Sequence, residues 1–527
     1  MRRTAVSLCG AAALVAGLVA AVPAAGTDPR TTPGAPRTHK PLAWKACATP
    51  EYPRLECASL PVPLDHGRRH GRQVTLALSR VRHTSSAYQG PLLVNPGGPG
   101  AGGLTTAGFV AASLPERVAA RYDVVGFDPR GVGRSTPALT CRPGHTDPVR
   151  PDSVPATPAL ERAGLDRARA FAEACAKKYA DVLPYVGTVS AAKDLDAIRA
   201  ALGARRISYF GYSYGTYLGA VYAKLFPDRV RRMALDSVVD PDAVWYEANL
   251  AQDFAFDARH KAFLAWVARH DARYALGKDP ARVEAAWYAM RAAVAKEPAG
   301  GRVGAAELED TYLPGGYFDG YWPLLAEAFA AYANDRSVEP LVRAYETLGA
   351  ADAATDNGYS VYAAVQCRDA PWPRRWSRWR EDHTRTHAKA PFVTWNNAWY
   401  NAPCAFWPTA PLRPADVRNT ALPPVLLLQG TDDAATPYEG AVTMRRKLRG
   451  ASLVVEWGGG NHGVTLSGNA CMDRYLAAYL DKGEVPRSGG EVDAVCKAPP
   501  GPEPEPARTG DAAARGAELR GLLRFRG

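Results

Sequence analysis

A chain of 527 residues, 47% hydrophobic and 22% charged, has the composition of an ordinary globular protein and is long enough for a large core with an inserted or second domain. Its formal net charge is +11, but Arg2 and Arg3 lie in the N-terminal segment and the remaining charges form no basic run. We therefore expect a mildly basic surface and exclude nucleic acid as a partner.

The N-terminus has the layout of a secretory signal peptide. Arg2 and Arg3 precede an apolar run of about fifteen residues, small residues follow the run, and cleavage is expected near Ala24. The run is too short and too rich in alanine for a transmembrane anchor. We expect residues 1–24 to be removed and residues 25–40 to form a mobile leader. The mature protein is then extracellular without stable membrane association, by an export route that the sequence leaves open.

Strands and helices alternate in the first part of the predicted core. Short apolar runs closed by Gly or Pro indicate buried strands. The predicted strands are 73–82, 91–98, 122–131, 206–212 and 229–239. The predicted helices are 190–203 and 215–226. This alternation implies a mostly parallel sheet with helices on both faces, so residues 41–240 are expected to form the first part of an α/β domain.

The pattern changes near Pro241 and changes back near residue 422. Most of the residues between these points form amphipathic helical patterns, such as 252–270 and 281–297. Strand–helix alternation then returns with predicted elements at 422–430, 438–450 and 451–457. The expected organisation is a helical cap inserted at 241–405, the C-terminal part of the core at 406–497 and a disordered, Pro- and charge-rich tail at 498–527.

The cysteine count indicates disulfides. Nine cysteines are present, and eight remain after Cys9, an even number in a chain expected to be exported. Eight cysteines allow 105 pairings, and we expect sequential pairing because it closes only short or moderate loops. The expected pairs are Cys47–Cys57, Cys141–Cys175, Cys367–Cys404 and Cys471–Cys496. No metal site is expected, because the sequence has neither a C-x-x-C motif nor a Cys/His cluster.

The segment Gly211-Tyr-Ser213-Tyr-Gly215 fits the pattern G-x-S-x-G. It lies directly between a predicted strand and a predicted helix, which is the setting of a nucleophile elbow. The glycines give room for a sharp turn that holds the Ser213 hydroxyl clear of the sheet. The alternative is a serine that only caps the helix N-terminus.

A serine nucleophile needs a base, and the base needs an acid partner. Of ten histidines, His462 is the one that follows the last predicted α/β strands, in a Gly-rich loop. Four others fall in the helical block and are assigned to packing or to the surface: His260, His270, His383 and His387. Asp432 and Asp433 both follow a predicted strand, and spacing alone does not separate them.

An oxyanion hole needs backbone amides at fixed positions. One is expected from Tyr214, the residue after the nucleophile. The other is expected from the loop 94–103, which has five glycines in ten residues. Gly98 is the preferred donor there, with Gly97 as the alternative. The loop lacks the G-K-[ST] ending of a phosphate loop, and no cofactor is implied.

Several segments resemble one branch of the α/β-hydrolases. The loop NPGGPG is similar to the H-G-G-P-G loop of prolyl aminopeptidases, with Asn95 where His is usual. Similarity to the secreted tripeptidyl aminopeptidases of high-GC bacteria, over residues 42–496, is carried by NPGGPGAGG, GFDPRGVGRSTP, GYSYGTYLGAVYAKLFPDRV and LLLQGTDDAATPYEGA. The resemblance implies an α/β-hydrolase fold with a helical cap and a triad of Ser213, Asp433 and His462. Asp433 is preferred because the family pattern Q-G-T-x-D-x-x-T-P places its acid there.

The resemblance also implies cleavage of short peptides, expected to be tripeptides, from substrates with a free N-terminus. A monomer without a cofactor is expected. Such an exopeptidase needs a group that binds the substrate ammonium. The acidic residues at the start of the insertion are candidates, although each is also compatible with a solvated helix charge: Glu247, Asp253 and Asp257. The Trp-rich stretch 371–380 is compatible with a pocket wall or with packing. The alternative functions are a carboxylesterase or lipase with the same triad and a non-catalytic binding protein.

Overall fold

The computed structural model describes residues 41–504. The expected signal peptide at 1–24, the leader at 25–40 and residues 505–527 of the expected tail lie outside the described residues. Within residues 41–504, no helix combines the length and the apolar character that a bilayer crossing requires.

Ten strands form one sheet in the described part of the chain, in the order β1-β2-β3-β5-β4-β6-β7-β8-β9-β10. The strands are β1 (Lys45–Ala46), β2 (Glu56–Pro63), β3 (Gln73–Val81), β4 (Pro91–Asn95), β5 (Asp123–Asp128), β6 (Ile207–Tyr212), β7 (Val230–Asp236), β8 (Val425–Gly430), β9 (Ser452–Trp457) and β10 (Ala494–Lys497). The pairs from β5 through β10 are parallel, and β1, β2 and β3 extend the sheet antiparallel.

Helices cover both faces of this sheet. Those before β8 in the core are α1 (Leu104–Ser113), α2 (Glu116–Ala119), α3 (Pro158–Tyr179), α4 (Thr188–Ala201) and α5 (Tyr214–Leu225). Successive strand residues pack on opposite faces: Leu426 and Leu428 contact the cluster that contains α1, whereas Leu427 contacts the cluster that contains α4 and α5. This alternation is the two-residue period of a strand buried on both sides. The predicted mostly parallel sheet with helices on both faces is confirmed.

The chain between β7 and β8 is mainly helical. Its helices are α6 (Tyr246–Arg269), α7 (Asp271–Tyr274), α8 (Pro280–Lys296), α9 (Ala305–Tyr312), α10 (Pro314–Tyr317), α11 (Trp322–Asp335), α12 (Glu339–Leu348), α13 (Ala353–Asp369), α14 (Trp376–His387) and α15 (Thr394–Asn401). The core then adds α16 (Tyr438–Lys447) and α17 (Ala470–Lys482). Short 3₁₀ turns lie at Leu183–Tyr185, Pro227–Arg229, Asp319–Tyr321 and Ala402–Phe406.

The helical insertion has its own hydrophobic cluster, in which Trp287, Trp322 and Phe329 are almost fully buried. Other residues of the insertion, Trp372 and Trp379 among them, belong to a hydrophobic cluster of the sheet, so the insertion packs on the α/β core. In the Trp-rich stretch, Trp372 and Trp379 are buried and stack with ring centroids 5.6 Å apart. This stretch packs within the protein instead of lining a cavity at the sheet.

Four disulfides are present among the described cysteines. They join Cys47–Cys57, Cys141–Cys175, Cys367–Cys404 and Cys471–Cys496. These are the sequential pairs expected from the sequence. The first residues of the expected tail also make a contact, since the Trp266 indole nitrogen donates to the Pro502 carbonyl at 2.9 Å.

Candidate active site

Ser213 lies in a sharp turn between β6 and α5. Its backbone has φ 56° and ψ −129°, a strained conformation for a residue with a side chain. The surrounding glycines are required by close packing, because a Cβ on Gly211 would lie 2.6 Å from the Gly215 carbonyl oxygen. The Ser213 side chain makes no capping hydrogen bond to α5, so the geometry is that of a nucleophile elbow and not of a serine N-cap.

Asp433 and His462 form a buried pair. The Asp433 carboxylate accepts from His462 Nδ1, with distances of 3.0 and 2.9 Å to its two oxygens, and the two residues are 2% and 1% exposed. The same carboxylate accepts from the backbone N–H groups of Ala435 and Thr436, at 2.9 and 3.1 Å. These bonds hold the imidazole with its proton on Nδ1, which leaves Nε2 as a proton acceptor.

The structure separates the two aspartates that spacing left open. Asp433 contacts His462, whereas Asp432 is exposed and its backbone N–H donates to the Gly459 carbonyl at 2.8 Å. The acid beside the imidazole is thus the residue that the family pattern favours.

The sheet order brings the three side chains to one edge. Ser213 follows β6, Asp433 follows β8 and His462 follows β9, and β7 lies between β6 and β8. The carboxyl ends of neighbouring parallel strands meet at the same edge of a sheet. Among residues 41–504, no hydrogen bond joins Ser213 Oγ to His462; in hydrolases this contact often tightens only when substrate is bound.

Asp236, at the end of β7, anchors the loop that carries His462. Its carboxylate accepts from the backbone N–H groups of Val464 and Thr465, at 3.0 and 2.9 Å, and from the Thr465 hydroxyl. Burial raises the pKa of Asp236 to about 6. The sequence interpretation missed Asp236. A signal was available, because Asp236, like Asp433, stands near the carboxyl end of a predicted strand.

The Gly-rich loop after β4 packs against the elbow. Gly97 has φ +103°, and a Cβ there would lie 2.8 Å from the Ser213 Cβ. The Gly97 N–H donates to Asn95 Oδ1 at 3.0 Å, so this amide is engaged within the loop. Gly98 and Tyr214 line the same cavity as Ser213. Of the two glycines that the sequence left open, Gly98 is the one that lines this cavity, and among the described residues no hydrogen bond within the loop engages its amide.

Two cavities adjoin the reactive residues. A cavity of about 300 Å³ is lined by Ser213, Gly98 and Tyr214, with α6 of the cap as its roof. A second cavity, of about 420 Å³, reaches His462 and is otherwise lined mostly by cap residues. Both lie in the range of small-ligand sites, about 300–1,000 Å³.

The cap is hydrogen-bonded to the loop that carries His462. The His462 N–H donates to the Tyr317 carbonyl at 2.9 Å, and the two rings meet edge to face with centroids 5.4 Å apart. Asn461 and Asp319 exchange two further bonds: the Asp319 N–H donates to Asn461 Oδ1 at 2.9 Å, and Asn461 Nδ2 donates to Asp319 Oδ1 at 3.0 Å. The loop of His462 is thus supported from the sheet by Asp236 and from the cap by Tyr317.

The three carboxylates considered for the substrate ammonium have different environments. Glu247 is exposed on the first turn of α6. Asp257 pairs with Lys261 at 2.7 Å. Asp253 is fully buried, accepts from Asn397 Nδ2 at 2.8 Å, and has a pKa that burial raises well above the usual range.

None of these three carboxylates is among the described residues that line the cavity at Ser213. Asp240 and Glu439 do line it. They come from the segment after β7 and from the start of α16, which pack closely, because a Cβ on Gly440 would lie 3.1 Å from the Asp240 Cα. The sequence interpretation missed both, since nothing in the local pattern places these two turns against one cavity.

A sequence model of the family described as alpha/beta hydrolase fold matches residues 90–467. The tripeptidyl aminopeptidase of Streptomyces lividans is 44% identical over 456 residues, which is 84% of this chain and 85% of the relative.

Two further relatives come from Mycobacterium tuberculosis. The serine protease Hip1 is 33% identical over 488 residues, covering 86% of this chain and 92% of the relative. A carboxylesterase B is 32% identical over 503 residues, covering 90% and 95%. The similarity to all three extends over nearly the whole length of each protein.

Proposed function

The chain belongs to the α/β-hydrolase family and is a serine peptidase related to the tripeptidyl aminopeptidases, and from this premise we propose that it is secreted and releases tripeptides from free N-termini. The observation that carries the hydrolase chemistry is the buried Asp433–His462 pair at the same sheet edge as the Ser213 elbow. The release of tripeptides is supported by the 44% identity to a tripeptidyl aminopeptidase over 84% of this chain. Four disulfides support an extracellular location.

Ser213 Oγ attacks the carbonyl carbon of the scissile peptide bond. His462 Nε2 accepts the hydroxyl proton as the bond forms and returns it to the leaving amine when the C–N bond breaks. The Asp433 carboxylate holds Nδ1–H and stabilises the imidazolium that forms in between. Water then attacks the acyl-enzyme with the same imidazole as base, which frees the N-terminal fragment and Ser213.

The oxyanion of each tetrahedral intermediate is stabilised by the N–H groups of Gly98 and Tyr214. The Tyr214 amide is at the first turn of α5, where backbone N–H groups lack helical partners and the helix dipole favours negative charge. Gly98 follows Gly97, whose N–H group already donates to the Asn95 side chain. One such donor contributes on the order of 10²–10³-fold to kcat.

The substrate ammonium is bound by Asp240, with Glu439 beside it. Asp240 is half-buried at the cavity wall, and one of its oxygens accepts from the Asp242 N–H at 2.9 Å. Burial raises the pKa of Asp240. A bound ammonium group favours the ionised carboxylate and lowers this pKa again. A carboxylate in such a partly desolvated site discriminates against substrates with a blocked amine.

The function is tested with chromogenic tripeptide amides that differ only in a free or an acetylated N-terminus. We expect turnover of the free-amine substrate, at least tenfold slower turnover of the acetylated one, and loss of this preference in Asp240→Asn. The matched control is Glu247→Gln, an exposed carboxylate on the cap outside the cavity. Equal turnover of the two substrates by the wild-type protein would contradict the aminopeptidase assignment.

Ester hydrolysis is the second candidate function. It is favoured by the 32% identity to carboxylesterase B over 90% of this chain, because the same nucleophile, base and oxyanion donors serve both reactions. Parallel assays with p-nitrophenyl esters separate the two. Turnover of esters without any turnover of free-amine peptide amides would assign the chain to the esterases.

A further inference from the structure

The two cavities beside the reactive residues differ in which part of the reaction each can serve. The 300 Å³ cavity contains Ser213 and the oxyanion donors Gly98 and Tyr214. The acyl part of the substrate, which becomes bonded to Ser213, must extend into it, and we name it the acyl compartment. The 420 Å³ cavity contains His462, which gives its proton to the leaving amine. We name it the leaving compartment.

Tyr317 lies at the boundary between these compartments. It is the one residue, within the described 41–504, that lines both of them, and it also lines a smaller neighbouring cavity under α6. Its side chain is only partly buried, as expected for a ring that is bordered by open space on more than one side. The ring therefore stands between the space for the acyl part of the substrate and the space for the leaving part.

The position of Tyr317 is fixed from two directions. Its carbonyl accepts the His462 N–H at 2.9 Å, which ties its backbone to the catalytic loop. Its ring packs against Phe256 of α6, with centroids 5.2 Å apart. The preceding Gly316 allows this approach, because a Cβ there would lie 2.6 Å from the Phe256 ring. A ring held in this way acts as a wall and not as a flexible side chain.

We propose that Tyr317 is the partition that confines the acyl part of the substrate and thereby sets the length of the peptide released. The inference rests on the proposed aminopeptidase function and names the specificity determinant of that same site. The ammonium at Asp240 and the acyl carbon at Ser213 fix the two ends of the fragment in the acyl compartment, so the walls of that compartment limit how many residues fit between them. Removing the ring joins the 300 Å³ and 420 Å³ spaces, so the middle residues of a longer fragment can extend into the leaving compartment while its ends stay at Asp240 and Ser213.

The test compares Tyr317→Ala with Tyr317→Phe, which keeps the ring and removes only the hydroxyl. Each enzyme is incubated with a ten-residue peptide with a free N-terminus, and the first N-terminal fragments are measured by mass spectrometry at low conversion. The wild-type protein and the phenylalanine variant should release one length. In the alanine variant, the proportion of fragments longer than that length should rise at least tenfold.

The readout is a distribution of products, so it is independent of any fall in total rate when Tyr317 is changed. Labelling of Ser213 by a serine-directed phosphonate checks that each variant is folded, and Tyr317→Leu replaces the alanine variant if labelling fails. An unchanged length distribution in a labelled alanine or leucine variant overturns the partition. Absence of any N-terminal fragment from the wild-type protein overturns instead the proposed function on which it rests.

Discussion

The Asp433 carboxylate lies 2.9 Å from His462 Nδ1, and replacing it with the isosteric amide changes what the imidazole can do. In Asp433→Asn, the new NH₂ group donates where an acceptor stood, so the ring proton moves to Nε2 and the base for Ser213 is lost. The variant also loses the attraction between carboxylate and imidazolium. Unit charges 2.9 Å apart attract by about 6 kcal/mol at an effective dielectric constant of about 20.

Each 1.36 kcal/mol of barrier changes the rate about tenfold, so this attraction corresponds to roughly 10⁴-fold in kcat. A wrong imidazole tautomer in a serine triad also lowers kcat by about 10⁴-fold. The assay is turnover of a free-amine tripeptide p-nitroanilide, with thermal unfolding as the fold control. Asp432→Asn is the matched variant: its side chain is exposed, and its kcat should stay within about threefold of wild type. A loss below tenfold in Asp433→Asn, or an equal loss in Asp432→Asn, would refute the assigned acid.

Three further outcomes are expected. Ser213→Ala should lower kcat by at least about 10³-fold, since nucleophile and base act as a unit; near-wild-type turnover would exclude Ser213 as the nucleophile. Burial raises the pKa of Asp236 to about 6 from 3.8, so the folded chain retains a proton that the unfolded chain releases. This group contributes stability below pH 4 that is lost as the pH rises through 6, by up to about 3 kcal/mol. The pH dependence of urea unfolding between pH 4 and 7 should therefore be altered in Asp236→Asn by that amount, and an identical dependence in both proteins would contradict it. Replacing Cys367 and Cys404 together by serine opens a 37-residue loop and should lower the free energy of unfolding by about 4 kcal/mol; an unchanged urea midpoint would show that the pair contributes nothing.

The elbow was predictable because its signal is local. An apolar run, two glycines around Ser213 and a helical pattern lie within twenty residues, and the predicted strand 206–212 and helix 215–226 match β6 and α5 to within one residue at each end. The strand β2 was not predicted, since Pro61 and Pro63 interrupt its pattern. Proline is tolerated there because β2 lies near the edge of the sheet, next to the two-residue strand β1.

The rest of the candidate site depends on contacts that no local pattern carries. Spacing left Asp432 and Asp433 open; the family pattern favoured Asp433, and the structure shows that its side chain is the one that contacts His462. The choice of Asp257 as an ammonium ligand did not anticipate Lys261 one helical turn away. Tyr317 lies in a four-residue helix far from every motif, and its contact with His462 spans 145 residues of sequence. Such pairings follow from how the cap packs on the sheet.

The cap covers the cavity and also supports the loop of His462 through hydrogen bonds. Lifting the segment around Tyr317 and Asp319 breaks three bonds to residues 461–462 at once, so the base loses part of its support whenever the cap opens. A substrate that lifted this segment of the cap would therefore also weaken the support of the imidazole.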